Sequence, residues 1–240
     1  MNIRNKQLDS ARLSVEEAKL LDEWAGFVPG FIRDGVVDVA KYCKAPLRIL
    51  VVLKEVNGGS DWDLREFLKG GGRAQTWNVV ARWIENIFNL KTDYAWSELQ
   101  SDNDERRMRV LPYICAINVK KTSGKAVAKN RDILAAAIKD RVYLKKQIEL
   151  YCPDIVICGG TEKPYIKATN AKPDWKMTSR GIWYYIEEKG TIVISYSHPE
   201  ARTKECLLHY GLIDAVREIL SNDIDELNTN TAIGKINICS

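Results

Sequence analysis

The sequence predicts an α/β protein, a three-layer α/β/α sandwich around a central, largely parallel four-stranded sheet. Ile49-Leu-Val-Val-Leu53 is an unbroken run of branched apolar side chains with no alternation, the pattern of a strand covered on both faces. Residues 110–119, 154–158 and 191–197 repeat that character, and helical spacing fills much of the chain between them. Strands alternating with helices imply parallel pairing with helices on both faces. At 240 residues, 45% hydrophobic and 28% charged, the chain suits one such domain.

The elements follow in order. Ser14-Val-Glu-Glu17 reads as a capping box opening a helix that runs to about Trp24, where Gly26, Pro29 and Gly30 break it. Residues 31–42 fit a short helix or irregular chain, so residues 1–46 form an N-terminal helical extension, and Pro46 launches the first strand. Residues 58–73 read as loop, carry Trp62, Asp63 and Phe67, and end in Gly70-Gly71-Gly72, a run that suggests room and mobility. Trp77, Val80, Ala81, Ile84, Ile87 and Phe88 recur at helical spacing, so a helix covers 74–89 with Trp77 on its apolar face. The polar stretch 91–107 reads as exposed chain.

Residues 110–119 form the second strand, stopped by Lys120-Lys121-Thr122-Ser123-Gly124-Lys125. One long helix covers 130–151, and Pro153 ends it before the third strand, 154–158, which Gly159-Gly160 closes. Residues 182–187 and 191–197 flank Lys189-Gly190 as a hairpin feeding the last central strand. A final helix spans 203–220, and a polar, loosely held tail starts at about 222.

Composition narrows the function classes. No apolar run approaches the ~18 to 20 residues that span a bilayer, and the first residues lack a secretory pattern, so a soluble, cytoplasmic monomer is expected. The six cysteines include no C-x-x-C pair, and His198 and His209 are the two histidines, so neither metal nor other cofactor is expected. Net charge is a mild +4, but basic residues crowd residues 117–146 against Asp132 and Asp140 alone, a local face suited to a polyanion. Ser123-Gly-Lys125 lacks the upstream glycine and the following hydroxyl of a P-loop.

Open α/β sheets bind ligands beyond the carboxyl ends of their strands. Those ends here carry Lys54, Glu55, Asn57, Gly58, Gly59 and Asp61; then Asn118 to Lys125; then Gly159 to Thr161; then Ser197-His-Pro-Glu-Ala-Arg202. Each has a plain structural use as well. Asn57-Gly58 can simply turn the chain, Asn118 can cap a strand end, and His198 can be a packed ring.

Taken together, the segments Lys54-Glu-Val-Asn-Gly58, Tyr113-Ile-Cys-Ala-Ile-Asn-Val-Lys-Lys121, Pro153-Asp-Ile-Val-Ile-Cys-Gly-Gly160 and His198-Pro-Glu-Ala-Arg202 resemble, in order and spacing, the motifs of the uracil-DNA glycosylase superfamily over roughly residues 47–220. The resemblance implies a monofunctional DNA glycosylase that flips a pyrimidine out of DNA and hydrolyses its N-glycosidic bond. It implies His198 on the 2-oxo group of the departing base and Asn118 on the base edge. Trp62 or Phe67 would stack on the base, and Lys120, Lys121, Lys125 and Arg202 would meet backbone phosphates. The water-orienting group stays open among Glu55, Asn57 and Asp61, because two registers fit the first motif. Val56 stands where some families carry Asp or Asn, and the iron-sulfur cysteines of some branches are absent. Glu200 replaces a smaller residue of the His-Pro element, which points to a pocket for uracil or a larger base such as a glucosylated hydroxymethylcytosine, and so to repair or defence against phage. The alternatives are a nucleic-acid-binding module without catalysis and a small-molecule nucleotide hydrolase.

Overall fold

The computed structural model describes residues 8–124 and 128–233, with 223–233 as backbone alone. Its elements are α1 (Ser10–Ala25), β1 (Gly35–Val36), α2 (Val39–Lys44), β2 (Ile49–Leu53), α3 (Leu64–Lys69), α4 (Ala74–Phe88), α5 (Trp96–Gln100), α6 (Asn103–Val110) and β3 (Cys115–Asn118). There follow α7 (Asn130–Lys139), α8 (Arg141–Tyr151), β4 (Ile155–Gly159), α9 (Glu162–Thr169), β5 (Lys176–Met177), β6 (Trp183–Ile186), β7 (Ile192–Tyr196) and α10 (Glu205–Ile233).

The sheet has seven strands in the order β1-β3-β2-β4-β7-β6-β5. The expected four-stranded parallel unit is its core, β3-β2-β4-β7. The sheet is wider than the four strands expected: the expected hairpin strand is β6, antiparallel to β7, while β1, antiparallel to β3, and β5, antiparallel to β6, were not expected. Side chains of β2 alternate between two apolar layers. Ile49, Val51 and Leu53 pack with α3, α4 and α10, while Leu50 and Val52 pack with α1, α8 and α9. The run is continuous in the sequence because both faces are covered.

Local chemistry moved several boundaries. Asp9, not Ser14, caps α1, its carboxylate accepting from the Ala11 and Arg12 N–H groups at 2.9 and 3.3 Å. Residues 31–42 hold both β1 and the start of α2, so the N-terminal segment is part of the sheet rather than an appendage. Pro112 sits in a 3-10 turn, Leu111–Tyr113, which delays β3 to Cys115. The expected long helix is split at Asp140, and α10 carries its backbone on to Ile233, into the stretch expected as a tail. Residues 91–107 are not simply exposed chain: they form α5 and most of α6, with Arg106 and Arg107 buried. Helix α9 follows Gly160 where no helix was expected. No helix among the described residues is long and apolar enough to cross a membrane.

Candidate functional site

Parallel pairing brings the carboxyl ends of β3, β2, β4 and β7 to one edge of the sheet, with Leu53 opposite Asn118 and Gly159 opposite Tyr196. Beyond the strands, pairing of the first two continues into their loops. Val119 N–H donates to the Leu53 carbonyl (2.9 Å), Lys120 N–H to Lys54 (3.0 Å) and Gly124 N–H to Val56 (2.8 Å). The first motif and the basic loop are therefore one ladder rather than two separate loops.

That ladder fixes Glu55. One carboxylate oxygen accepts from Lys120 Nζ at 2.5 Å, and the side chain is nearly buried over Gly124. A Cβ on Gly124 would lie 1.9 Å from the Glu55 carboxyl carbon, so only glycine leaves space for the acid. Oε1 of Glu55 has no hydrogen-bond partner among the described residues. Val56 packs against the apolar layer on the α4 side, and Asn57 is exposed.

Asn118 ends β3 with 3% of its surface accessible, and its side-chain amide has no hydrogen-bond partner among the described residues. Its backbone N–H is held by Asp34 Oδ2 at 2.7 Å. Asp34 is a residue that sequence reasoning missed; Asp34-Gly35 reads as a turn signal and carries no hint of its reach across 84 positions. Its other oxygen accepts from Lys121 Nζ at 2.5 Å, and Lys121 also donates to Gln147 Oε1 at 2.8 Å with Trp24 4.9 Å beneath it. Lys121 is thus buried, with burial pushing its amine pKa down. The expected surface contact of Lys121 with phosphate is corrected on that ground. Lys125 lies outside the described residues.

His198 follows β7 and is half-buried. Its Nδ1 accepts the Glu200 backbone N–H at 3.1 Å, which places the proton of the neutral ring on Nε2, and Nε2 has no partner among the described residues. Burial lowers the imidazole pKa below its ordinary value; Lys54 and Arg73 push the same way, and Glu200 opposes them. The ring is therefore a neutral donor at neutral pH. The Glu200 carboxylate, expected at a base, instead bonds the Arg73 guanidinium and the Thr76 hydroxyl at the start of α4. Burial opposes ionisation of Glu200, yet Thr76 and Arg73 leave its pKa below the ordinary value. Arg73 and Thr76 escaped the sequence reading because their partner lies more than a hundred positions away. Arg202 is exposed and has no ion pair among the described residues.

The remaining candidates sit apart. Asp61, in a left-handed backbone conformation (φ 59°), lines a cleft of about 390 Å³ with Trp62, Asp63, Gly30, Phe31 and Arg33. This is the side of β3 reached by the N-terminal segment, where Phe31 pairs with Thr122 and Arg33 with Asp63. Trp62 is half-buried with its edge toward Phe67, ring centres 5.6 Å apart, and Phe67 is exposed. The glycine run is packed rather than roomy, as a Cβ on Gly72 would meet Trp77 at 2.7 Å and Leu68 at 2.8 Å. Cys115 and Cys158 are core thiols raised in pKa by burial, and no group of three or more metal-ligating side chains occurs among the described residues.

Along one sheet edge the arrangement offers a neutral imidazole donor, the amide of the buried Asn118 and the Glu55 carboxylate, the amide and one carboxylate oxygen having no hydrogen-bond partner among the described residues. No protein-family model, curated protein or solved structure matches the chain.

Proposed function

We propose that the chain is a DNA glycosylase of the uracil-DNA glycosylase type, hydrolysing the bond between a pyrimidine and its deoxyribose. The observation that carries this reading is His198, held neutral, on the edge that also bears Asn118, with neither its Nε2–H nor the Asn118 amide bonded among the described residues. Cleavage sends the bonding pair of C1′–N1 into the base, and negative charge builds on its 2-oxo oxygen while positive charge builds on the sugar. Nε2–H donates to that oxygen. Asn118, with one acceptor and two donors, pairs with the edge of the extruded base. Glu55, whose Oε1 has no hydrogen-bond partner among the described residues, receives the attacking water; it takes the water proton as the C1′–O bond forms, and the base anion is protonated from solvent. Asn57 and Asp61 support this role less, being exposed and, for Asp61, committed to the lining of a separate cleft.

The test is a panel of oligonucleotides bearing uracil, hypoxanthine, 5-hydroxymethylcytosine or glucosylated hydroxymethylcytosine, treated with protein and then hot alkali. Strand cleavage at one modified position supports the reading, and intact strands throughout refute it. Glu200 and the glycine run, the two features that suggested a larger base, are committed to Arg73 with Thr76 and to Trp77 with Leu68, so the panel rather than the pocket decides between repair and phage defence.

One observation favours a second reading, hydrolysis of a free nucleoside or nucleotide. Lys121 is buried and Lys120 is paired with Glu55, which leaves Arg202 as the exposed cation among the described residues expected at phosphate. Salt separates the two, since binding to DNA falls steeply with ionic strength and turnover of a mononucleotide does not.

A further inference from the structure

We infer that Arg73 and Thr76 are positioning residues that aim His198 through Glu200. Arg73 immediately precedes α4 and Thr76 lies in its first turn; both bond the same oxygen of Glu200, which belongs to the turn after β7. The backbone N–H of that same Glu200 is the group on His198 Nδ1. The carboxylate therefore ties the turn to the helix and fixes the donor that sets the imidazole tautomer. A second bond within the turn, Ala201 N–H to the His198 carbonyl at 2.9 Å, holds backbone to backbone and leaves the ring nitrogens untouched. With the tie cut, the ring regains the exchange between tautomers of a free imidazole and Nε2–H is no longer held toward the sheet edge. The inference rests on His198 Nε2 as the donor of the proposed reaction and names what aims it.

The charged groups that bear on the ring are Lys54, Arg73 and Glu200, and removing Arg73 takes away a positive charge that disfavours protonation. Imidazole ¹⁵N NMR of the whole chain tests the inference without any substrate. Wild-type His198 should show the separated shifts of a fixed Nε2–H tautomer. In an Arg73→Ala, Thr76→Val double variant the two shifts should converge toward their average, and the His198 titration midpoint should move up. His209, bonded through Nε2 to Asn86 at the α4–α10 contact, should keep its shifts and so report an intact fold. Glu200→Gln, which keeps an oxygen for both partners, should retain the wild-type tautomer. Should the double variant fail to fold, Thr76→Val alone is read for a smaller shift in the same direction. Unchanged His198 shifts in the folded variant overturn the inference. If the wild type releases a base, single-turnover excision by the double variant should fall by about tenfold. Lack of base release by the wild type, with the NMR result intact, would sink the glycosylase reading and leave the positioning role standing.

Discussion

Lys120 and Lys121 are chemically identical neighbours with opposite fates, and strand parity separates them. Cys115, Ile117 and Val119 point into the layer against α1 and α8, and Lys121 continues that parity into the same layer. Lys120 shares the parity of Ala116 and Asn118 and meets Glu55 at the sheet edge. The sequence shows the parity but not which side is covered beyond the strand end, because Asp34 and Gln147 arrive from distant segments. Lys121→Ala should cost roughly 3 to 5 kcal/mol, since it leaves Asp34 buried without its cation. Replacing both partners, Lys121→Met with Asp34→Asn, should recover much of that loss, and urea denaturation of the three proteins checks both statements. At the same scale, the proposed glycosylase reading makes His198 an oxyanion donor, which acts mainly in the transition state, so on that reading His198→Ala should lower base excision by at least ~10²-fold with DNA affinity nearly unchanged. An unaltered single-turnover rate would remove His198 from the chemistry.

Elements were legible where a period runs long enough to be read. Helix α4 carries one apolar stripe over four turns and was bounded in the sequence to within a residue. Strands β1 and β5 have two residues each, too few for any period, and they are the strands the sequence reading lacked. Polarity misled at 91–107. Arg106 is buried because Glu85 and the carbonyls of Leu99 and Ser101 satisfy its guanidinium, and Arg107 because the Gly71 carbonyl meets its Nε at 2.8 Å. Partners of that kind leave no local mark in a sequence. The glycine run is a second case. Gly70 has an ordinary φ and its nearest neighbour, the Phe67 carbonyl oxygen, lies 3.5 Å from a built Cβ, whereas Gly72 has φ 64° and two side chains in the way. Gly72→Ala should therefore destabilise by at least about 1 to 2 kcal/mol. Gly70→Ala should be close to neutral, and thermal unfolding of the two variants gives the comparison.

At the scale of the molecule, the parallel core and the edge that gathers its carboxyl ends were readable because strand order needs only buried runs, while the supports of the candidate site were not. Asp34 behind Asn118 and Arg73 with Thr76 behind Glu200 come from segments that meet only once the sheet is assembled. The same assembly makes the protein's response to acid depend on its second histidine. His209, on α10, is 1% exposed; its Nε2 bonds Asn86 on α4 at 3.0 Å, and Nδ1 is buried without a partner among the described residues. Burial, followed by the guanidinium groups of Arg82, Arg106 and Arg217, lowers its pKa from 6.5 to about 4, with Glu85 opposing them. Unfolding returns the ring to the higher value, so between those limits the unfolded chain binds the proton and the folded one does not. His209 therefore contributes stability that is fully present above about pH 6.5 and is lost as pH falls toward 4, by roughly 3 kcal/mol in all. His209→Gln keeps a donor for Asn86 and removes the titration. Urea unfolding of both proteins at pH 7 and pH 4 should show the wild type losing up to about 3 kcal/mol more than the variant. Equal losses would mean that the contact between α4 and α10 admits a charged ring among three guanidinium groups, and the acid sensitivity of the fold would have to come from its carboxylates instead.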